Sequence, residues 1–150
     1  IGNAFLNEAS NSTGKVIRKK PVPVLEMENV QIVLNSFLGH SKQTPPMFSA
    51  KKVNGERLYK LARKNINVKR EPKDIYVRDI QLLDITEEKI TFSVTCSKGT
   101  YIRVLGKDIA KKLGTVGYLK SLVRTQVGGF SIDESQSIQL FESFWKSSTI

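Results

Sequence analysis

The stretch that decides the fold is Cys96-Ser97-Lys98-Gly99-Thr100-Tyr101-Ile102-Arg103. Before it, Ile90, Phe92, Val94 and Cys96 alternate with Thr91, Ser93 and Thr95, the period of two that marks a half-buried strand. After it, Ile102, Leu105, Ile109 and Leu113 recur at helical spacing, and Gly114 follows as a C-terminal stop. Gly99 supplies a backbone shape that other residues resist, and Thr100 is placed to cap the helix. A strand end, a tight turn and a helix N-terminus therefore meet at residues 96–103. The N–H groups of such a junction favour anions, and Lys98 and Arg103 add positive charge. The junction reads as one wall of a site for a phosphate-bearing partner. An ordinary strand–turn–helix joint is the alternative reading of the same residues.

Upstream, Ile75, Val77, Ile80 and Leu82 mark a second strand with a bulge at Asp79, and Glu87-Glu88 turns it into the strand at Ile90. Val30, Val33, Leu34, Phe37 and Leu38 predict an amphipathic helix over 26–38, ended by Gly39, with His40 a surface or capping residue just beyond. Residues 1–24 read as polar and irregular. Asn7 to Gly14 is loop, and Lys15 to Val24 is an extended, edge-like stretch in which Arg18, Lys19 and Lys20 are solvated charges. Downstream, Asp108 precedes Lys112 by four and the two are expected to pair. Cys96 reads as a core thiol. Residues 114–120 connect, Ser121 to Phe130 reads as a strand running to Gly128-Gly129, and Leu140, Phe141, Phe144 and Trp145 suit a last short helix. No repeat, low-complexity tract or second domain is visible, so 1–150 reads as one α+β domain.

The 150 residues, 39% hydrophobic and 25% charged, suffice for one domain with a real core. The net charge of +10 points to a polyanionic partner or an anionic membrane surface. Residues 41–78 hold most of that excess, eleven Lys or Arg against three Asp or Glu. There Pro45-Pro46 forces an extended start, Asn54-Gly55 signals a turn, and Glu56 to Lys64 reads as a short helix with Leu58, Leu61 and Ala62 on one face. Tyr59 and Arg63 sit four apart and can stack. Basic side chains interleaved with Phe48 and Tyr59 suit RNA, whose phosphates supply affinity and whose bases stack on aromatics. A lysine-rich solvated surface is the alternative.

One cysteine and one histidine, Cys96 and His40, allow no intrachain disulfide and no zinc cluster, which favours a cytoplasmic setting. There is no phosphate-binding G-x-x-x-x-G-K-[ST] loop, no G-x-G-x-x-G, no Ser/His/Asp set and no paired carboxylates. The apolar runs are too short to span a bilayer, and no long helix joins a basic face to a continuous apolar one, as peripheral membrane binding would need.

Taken together, three segments resemble the TruB-type tRNA pseudouridine synthases over roughly residues 26–140. The first is Gly39 and Gln43-Thr44-Pro45-Pro46-Met47-Phe48-Ser49-Ala50-Lys51, with Asn54-Gly55, Leu58-Tyr59 and Ala62-Arg63. The second is residues 96–103 with Asp108 and Leu113-Gly114. The third is Leu119, Leu122, Arg124-Thr125 and Gly129-Phe130. The resemblance implies an α+β fold with a mixed, largely antiparallel sheet flanked by helices, in a partial catalytic domain spanning 1–150. It implies isomerisation of uridine-55 in the tRNA T loop to pseudouridine, without cofactor or metal. The T arm of tRNA is the implied partner, and neither DNA nor a membrane is expected.

By the same resemblance Arg103 pairs with a nucleophilic aspartate, and Tyr101 and Leu122 line the pocket of the target base. Lys98 and Arg124 complete the substrate-binding set. A basic RNA-gripping insertion falls at about 41–73, with Lys51, Lys52, Arg57, Tyr59, Arg63 and Lys64 as its RNA contacts. The nucleophile belongs to a G-x-L-D-type motif, and none of Asp74, Asp79, Asp84, Asp108 or Asp133 has that context. With Ile1-Gly2-Asn3 in place of an initiating Met, the chain is expected to be the C-terminal part of the catalytic domain and unable to turn over alone. No RNA-binding domain of the PUA type is evident. Asn65 stands where the family pattern has Gly, and Ala9 to Gly14 is a poor version of the family's Thr/Asp-rich loop. A noncatalytic tRNA-binding module, or degenerate relative, is the alternative.

Overall fold

The alternating run that ends at Cys96 lies against a longer strand, and that pair carries the core. The computed structural model describes residues 3–7, 16–53 and 55–147. Along the chain, β1 (Asn3–Asn7) and β2 (Val16–Pro21) form an antiparallel pair, followed by helix α1 (Met27–Asn35) and β3 (Gly39–Gln43). The short strands β4 (Lys52–Val53) and β5 (Glu56–Arg57) form a hairpin that runs into α2 (Leu58–Arg63). Then come β6 (Lys73–Ile85), β7 (Ile90–Cys96) and α3 (Ile102–Lys112). These elements belong to a unit of residues 1–120; residues 121–150 form a second. Every strand pairing among the described residues is antiparallel, and the fold is α+β.

The main sheet has the order β3-β6-β7. β6 is its centre. Gly39–Gln43 pairs with the first part of β6, from Val77 back to Lys73, and β7 pairs with the rest, from Val77 to Ile85. The expected bulge is present between Val77 and Asp79, and a second lies between Leu82 and Asp84. The first bulge lets Ile75, Val77 and Ile80 all be buried although the spacing changes from two to three. Thr86 and Lys89 close the β6–β7 turn, with N–H of Thr86 donating to the Lys89 carbonyl at 2.9 Å.

One face of this sheet is covered by α1 and α3. Val30 and Leu34 from α1, Val77 and Ile80 from β6, and Leu105 and Ile109 from α3 form one buried cluster. Burying each such side chain contributes roughly 1.5–3 kcal/mol. Ile90, Phe92, Val94 and Cys96 pack around it while Thr91, Ser93 and Thr95 stay exposed. The helix α3 ends as Gly114 predicts. Gly114 has φ +82°, its N–H bonds to the Lys111 carbonyl at 3.1 Å, and Thr115 N–H bonds to the Ala110 carbonyl at 3.0 Å, the paired closure of a Schellman end.

Several local expectations are corrected. Helix α1 ends at Asn35, not Leu38: the Ser36 hydroxyl donates to the Val33 carbonyl at 2.6 Å, and Phe37 and Leu38 bond back three residues, which tightens and closes the last turn. Gly39 therefore opens β3, and His40 is a strand residue whose ring lies 4.7 Å from that of Tyr76. The cap of α3 is Tyr101, because the Thr100 hydroxyl is turned back to the Ser97 carbonyl at 2.9 Å. Lys112 does not pair with Asp108. Its ammonium donates to the Ser36 hydroxyl at 2.7 Å and lies 4.6 Å from the centre of the Phe37 ring.

Glu56 and Arg57 are drawn from the expected helix into β5 by pairing with Val53 and Lys52. Asn3–Asn7, read as irregular, is a strand opposite β2. The loop expected through Gly14, with Lys15, and Asn54 of the expected turn lie outside the described residues.

In the second unit, the strand expected over 121–130 reduces to β8 (Gln126–Val127), because the chain folds back at Gly128-Gly129 into β9 (Phe130–Ser131). A single 3₁₀ turn (Ile132–Glu134) follows, closed by a capping box between Ser131 and Glu134. The last helix is α4 (Ile138–Ser147), in which Phe141 and Trp145 stack at 6.2 Å.

Candidate nucleic-acid interface

The turn after β7 is fixed by two bonds to Tyr76 of β6 and one within the turn. Tyr76 N–H donates to the Ser97 hydroxyl at 2.9 Å, Ser97 N–H donates to the Tyr76 carbonyl at 2.8 Å, and Thr100 N–H reaches the Ser97 carbonyl at 3.3 Å. Gly99, third in that turn, has φ +87°, the position that favours glycine. Lys98 is thereby held on an exposed tip.

Tyr101, next along, is gripped from a distant element. The side chain of Gln43, last residue of β3, accepts from Tyr101 N–H at 2.7 Å and donates to the Tyr101 carbonyl at 3.2 Å. One carboxamide thus pairs with both backbone groups of one residue, as a neighbouring strand would. Gln43 is only 5% exposed, and a buried amide is tolerated because both of its ends are satisfied. Two residues on, Arg103 donates from Nη2 to the Phe48 carbonyl at 2.6 Å. The start of α3 is therefore tied twice to residues 43–48, where the basic segment leaves the sheet.

That segment is built on buried Pro45, Leu58 and Leu61. The Pro45 carbonyl accepts from Arg70 at 3.3 Å, Tyr59 N–H donates to the Ser49 carbonyl at 3.0 Å, and Leu58 N–H donates to the Lys51 carbonyl at 2.8 Å. The last two bonds lay the start of α2 against 49–51. The Ser49 hydroxyl and Arg70 Nε are buried without a hydrogen-bond partner. Two residues beyond the end of α2, Asn65 has φ +57°. Asn65 N–H bonds to the Ala62 carbonyl and Ile66 N–H to the Leu61 carbonyl, both at 3.0 Å, the closure also seen at the end of α3. Asn65 takes the left-handed conformation that glycine adopts without steric cost.

Of the residues expected to touch RNA, Lys52, Arg57, Arg63 and Lys64 are exposed, while Lys51 and Tyr59 are half-buried. Arg63 lies 5.6 Å from the centre of the Tyr59 ring, and Lys64 forms an exposed 3.1 Å ion pair with Glu56, a contact of little net strength. Tyr101, Arg103 and Lys98 lie together at the turn. Leu122 and Arg124 lie in the second unit, in residues 121–125 that precede β8. The residue that sequence reasoning passed over is Gln43, quoted in the resemblance but given no role. No local pattern marks a strand-end Gln as a long-range clamp. On α3, burial raises the Asp108 carboxyl above the ordinary range, against the lowering effect of Lys107 and Lys111. Among the described residues, no group of three or more His, Cys, Asp or Glu could hold a metal ion, and no helix is long and apolar enough to cross a membrane.

The family described as TruB family pseudouridylate synthase (N terminal domain) matches residues 5–102. The tRNA pseudouridine synthase B of Psychrobacter cryohalolentis is 44% identical over 136 residues, covering 91% of this chain and 38% of its own. That of Hydrogenovibrio crunogenus is 40% identical over 135 residues, covering 90% and 45%. Among solved structures, a chain of a Cbf5–Nop10–Gar1 complex superposes with a TM-score of 0.66 at 27% identity, covering 87% of this chain and 36% of that one. The chain belongs to the TruB family of pseudouridylate synthases. It spans less than half the length of these relatives.

Proposed function

We propose that this chain forms the base-facing wall and RNA-gripping arm of a tRNA pseudouridine synthase that acts on uridine-55 of the T loop. The observation that carries the reading is the junction of Gln43, Tyr101 and Arg103. It fastens a basic, aromatic-bearing arm to a turn with a lysine at its tip, in a chain whose relatives are named tRNA pseudouridine synthase B.

In the reaction, the bond from ribose C1′ to uracil N1 breaks, the base turns and C1′ joins C5; the proton on C5 is then lost and N1 takes up a proton, so that atoms balance with no cofactor. The nucleophilic carboxylate is none of the five aspartates of this chain, so the chain alone binds RNA and does not turn over. The part assigned to Arg103 is to keep that carboxylate ionised, since a neighbouring cation favours the charged form. Tyr101 offers a ring to the extruded base, offsetting an unstacking cost of a few kcal/mol. Lys98 holds a flanking phosphate. Lys51, Lys52, Arg57, Tyr59, Arg63 and Lys64, within the insertion at about 41–73, grip the stem of the T arm. Within this reading 1–150 is one partial catalytic domain, and its place of work is the cytoplasm.

Binding to a T-arm hairpin RNA, titrated at several salt concentrations, tests the assignment. Uridine-55 conversion is assayed in parallel, with the chain alone and with a chain extended upstream through its own reading frame. Salt-dependent binding, with conversion only by the extended chain, is the expected result. No binding at low salt overturns the reading. Binding without conversion by either form leaves a noncatalytic tRNA-binding module.

A further inference from the structure

We propose that Gln43 is a positioning residue, whose carboxamide sets the distance between the RNA-gripping arm and the base-facing turn, an inference that rests on the function proposed above. Three observations carry it. The side chain is buried and spends both its donor and its acceptor on Tyr101, 58 positions away. The Gln43 backbone pairs with Lys73 of β6, so this residue stands where the basic segment leaves the sheet and faces the strand to which it returns. The Arg103 bond to Phe48 is a second strut from the same helix start to the same segment.

Residues 43–48 and 97–103 are therefore held in one fixed relation. An RNA that reaches both the arm and the turn binds two regions at preset spacing. Such preorganisation adds affinity without adding an interaction. Loosening the clamp lowers affinity only for an RNA that touches both regions. It leaves the number of neutralised phosphates, and with it the dependence on salt, as before.

Two variants test this: Gln43→Met, of similar length with no polar end, and Gln43→Glu, which keeps the acceptor for Tyr101 N–H and loses the donor to its carbonyl. The probes are a T-arm hairpin RNA and a blunt duplex of its stem alone. The hairpin is expected to bind about tenfold more weakly to either variant, the scale of one missing hydrogen bond. Duplex affinity should stay within about twofold and the salt slope should be unchanged for both probes. Hydrogen exchange at the Tyr101 amide should accelerate. Equal losses for hairpin and duplex mean a purely structural role and overturn the proposal, as does an unchanged hairpin affinity with a fast-exchanging Tyr101 amide. Should Gln43→Met fail to fold, as judged by circular dichroism, Gln43→Glu carries the same comparison. A wild-type chain that binds neither RNA defeats the proposed function itself, whereas wild-type binding without a hairpin-specific loss defeats only the role of Gln43.

Discussion

Arg103 and Phe48 are joined by a 2.6 Å hydrogen bond from the guanidinium to a main-chain carbonyl. A bond from a charged donor contributes about 1.5–3 kcal/mol. Arg103→Met should lower unfolding free energy by about that amount, seen as a lower denaturant midpoint with unchanged slope. Arg103→Lys keeps the charge but loses the planar fork and should fall between the two. A wild-type midpoint for Arg103→Met would show that this bond does not brace the arm.

Lys51 and Lys52 lie at the start of the β4–β5 hairpin, the first half-buried and the second exposed. Changing both to Ala should weaken T-arm RNA binding and flatten its salt dependence by about 0.9 for each duplex phosphate no longer neutralised. The measurement is the logarithm of the binding constant against the logarithm of salt concentration. An unchanged slope would remove these two lysines from the RNA-gripping set.

Asn65 is the one non-glycine with positive φ among the described residues. Asn65→Gly should be neutral or slightly stabilising, whereas Asn65→Val should cost about 1–2 kcal/mol, because a β-branched side chain opposes the left-handed backbone. Chemical denaturation of the three proteins checks the order. Equal stabilities would mean that the end of α2 opens without cost.

Asp108 gives a pH dependence of definite sign. Burial raises its carboxyl above 3.8 in the folded chain, so the folded state holds the proton more tightly than the unfolded one. Stability contributed by this group is therefore present below the unfolded value and lost as pH rises through the folded one. Asp108→Asn should raise the melting temperature at about pH 7 and give no gain at about pH 3, where the wild-type carboxyl is protonated in both states. Melting curves of both proteins across that range decide it; a variant less stable at neutral pH would contradict the assignment.

The parts of the fold that were legible are those written in neighbouring residues. The alternation from Ile90 to Cys96, the turn glycine at 99, the stripe of α3 and its end at Gly114 all depend on residues close in sequence, and all are present. The stacking of Arg63 on Tyr59 was legible for the same reason. The end of α1 was not, because Ser36 and its backbone bonds stop the helix before Gly39 is reached. Nor was the partner of Lys112, which reaches back 76 positions to Ser36 rather than one turn to Asp108. The junction mixes both kinds. Tyr101 and Arg103 could be singled out by resemblance. Their fastening to Gln43 and to the Phe48 carbonyl could not, since one is a long-range bond of an ordinary polar side chain and the other uses a main-chain atom common to all residues.

The pairing of Gln43 with Lys73 has an architectural consequence. Residues 44–72 depart and return on adjacent strands, about 4.8 Å apart, so the excursion between them closes on itself like a drawer in a frame. Lengthening such a loop carries a small entropic penalty, about 0.6 kcal/mol for each doubling. A differently sized grip could be transplanted between these two residues while the frame kept its shape.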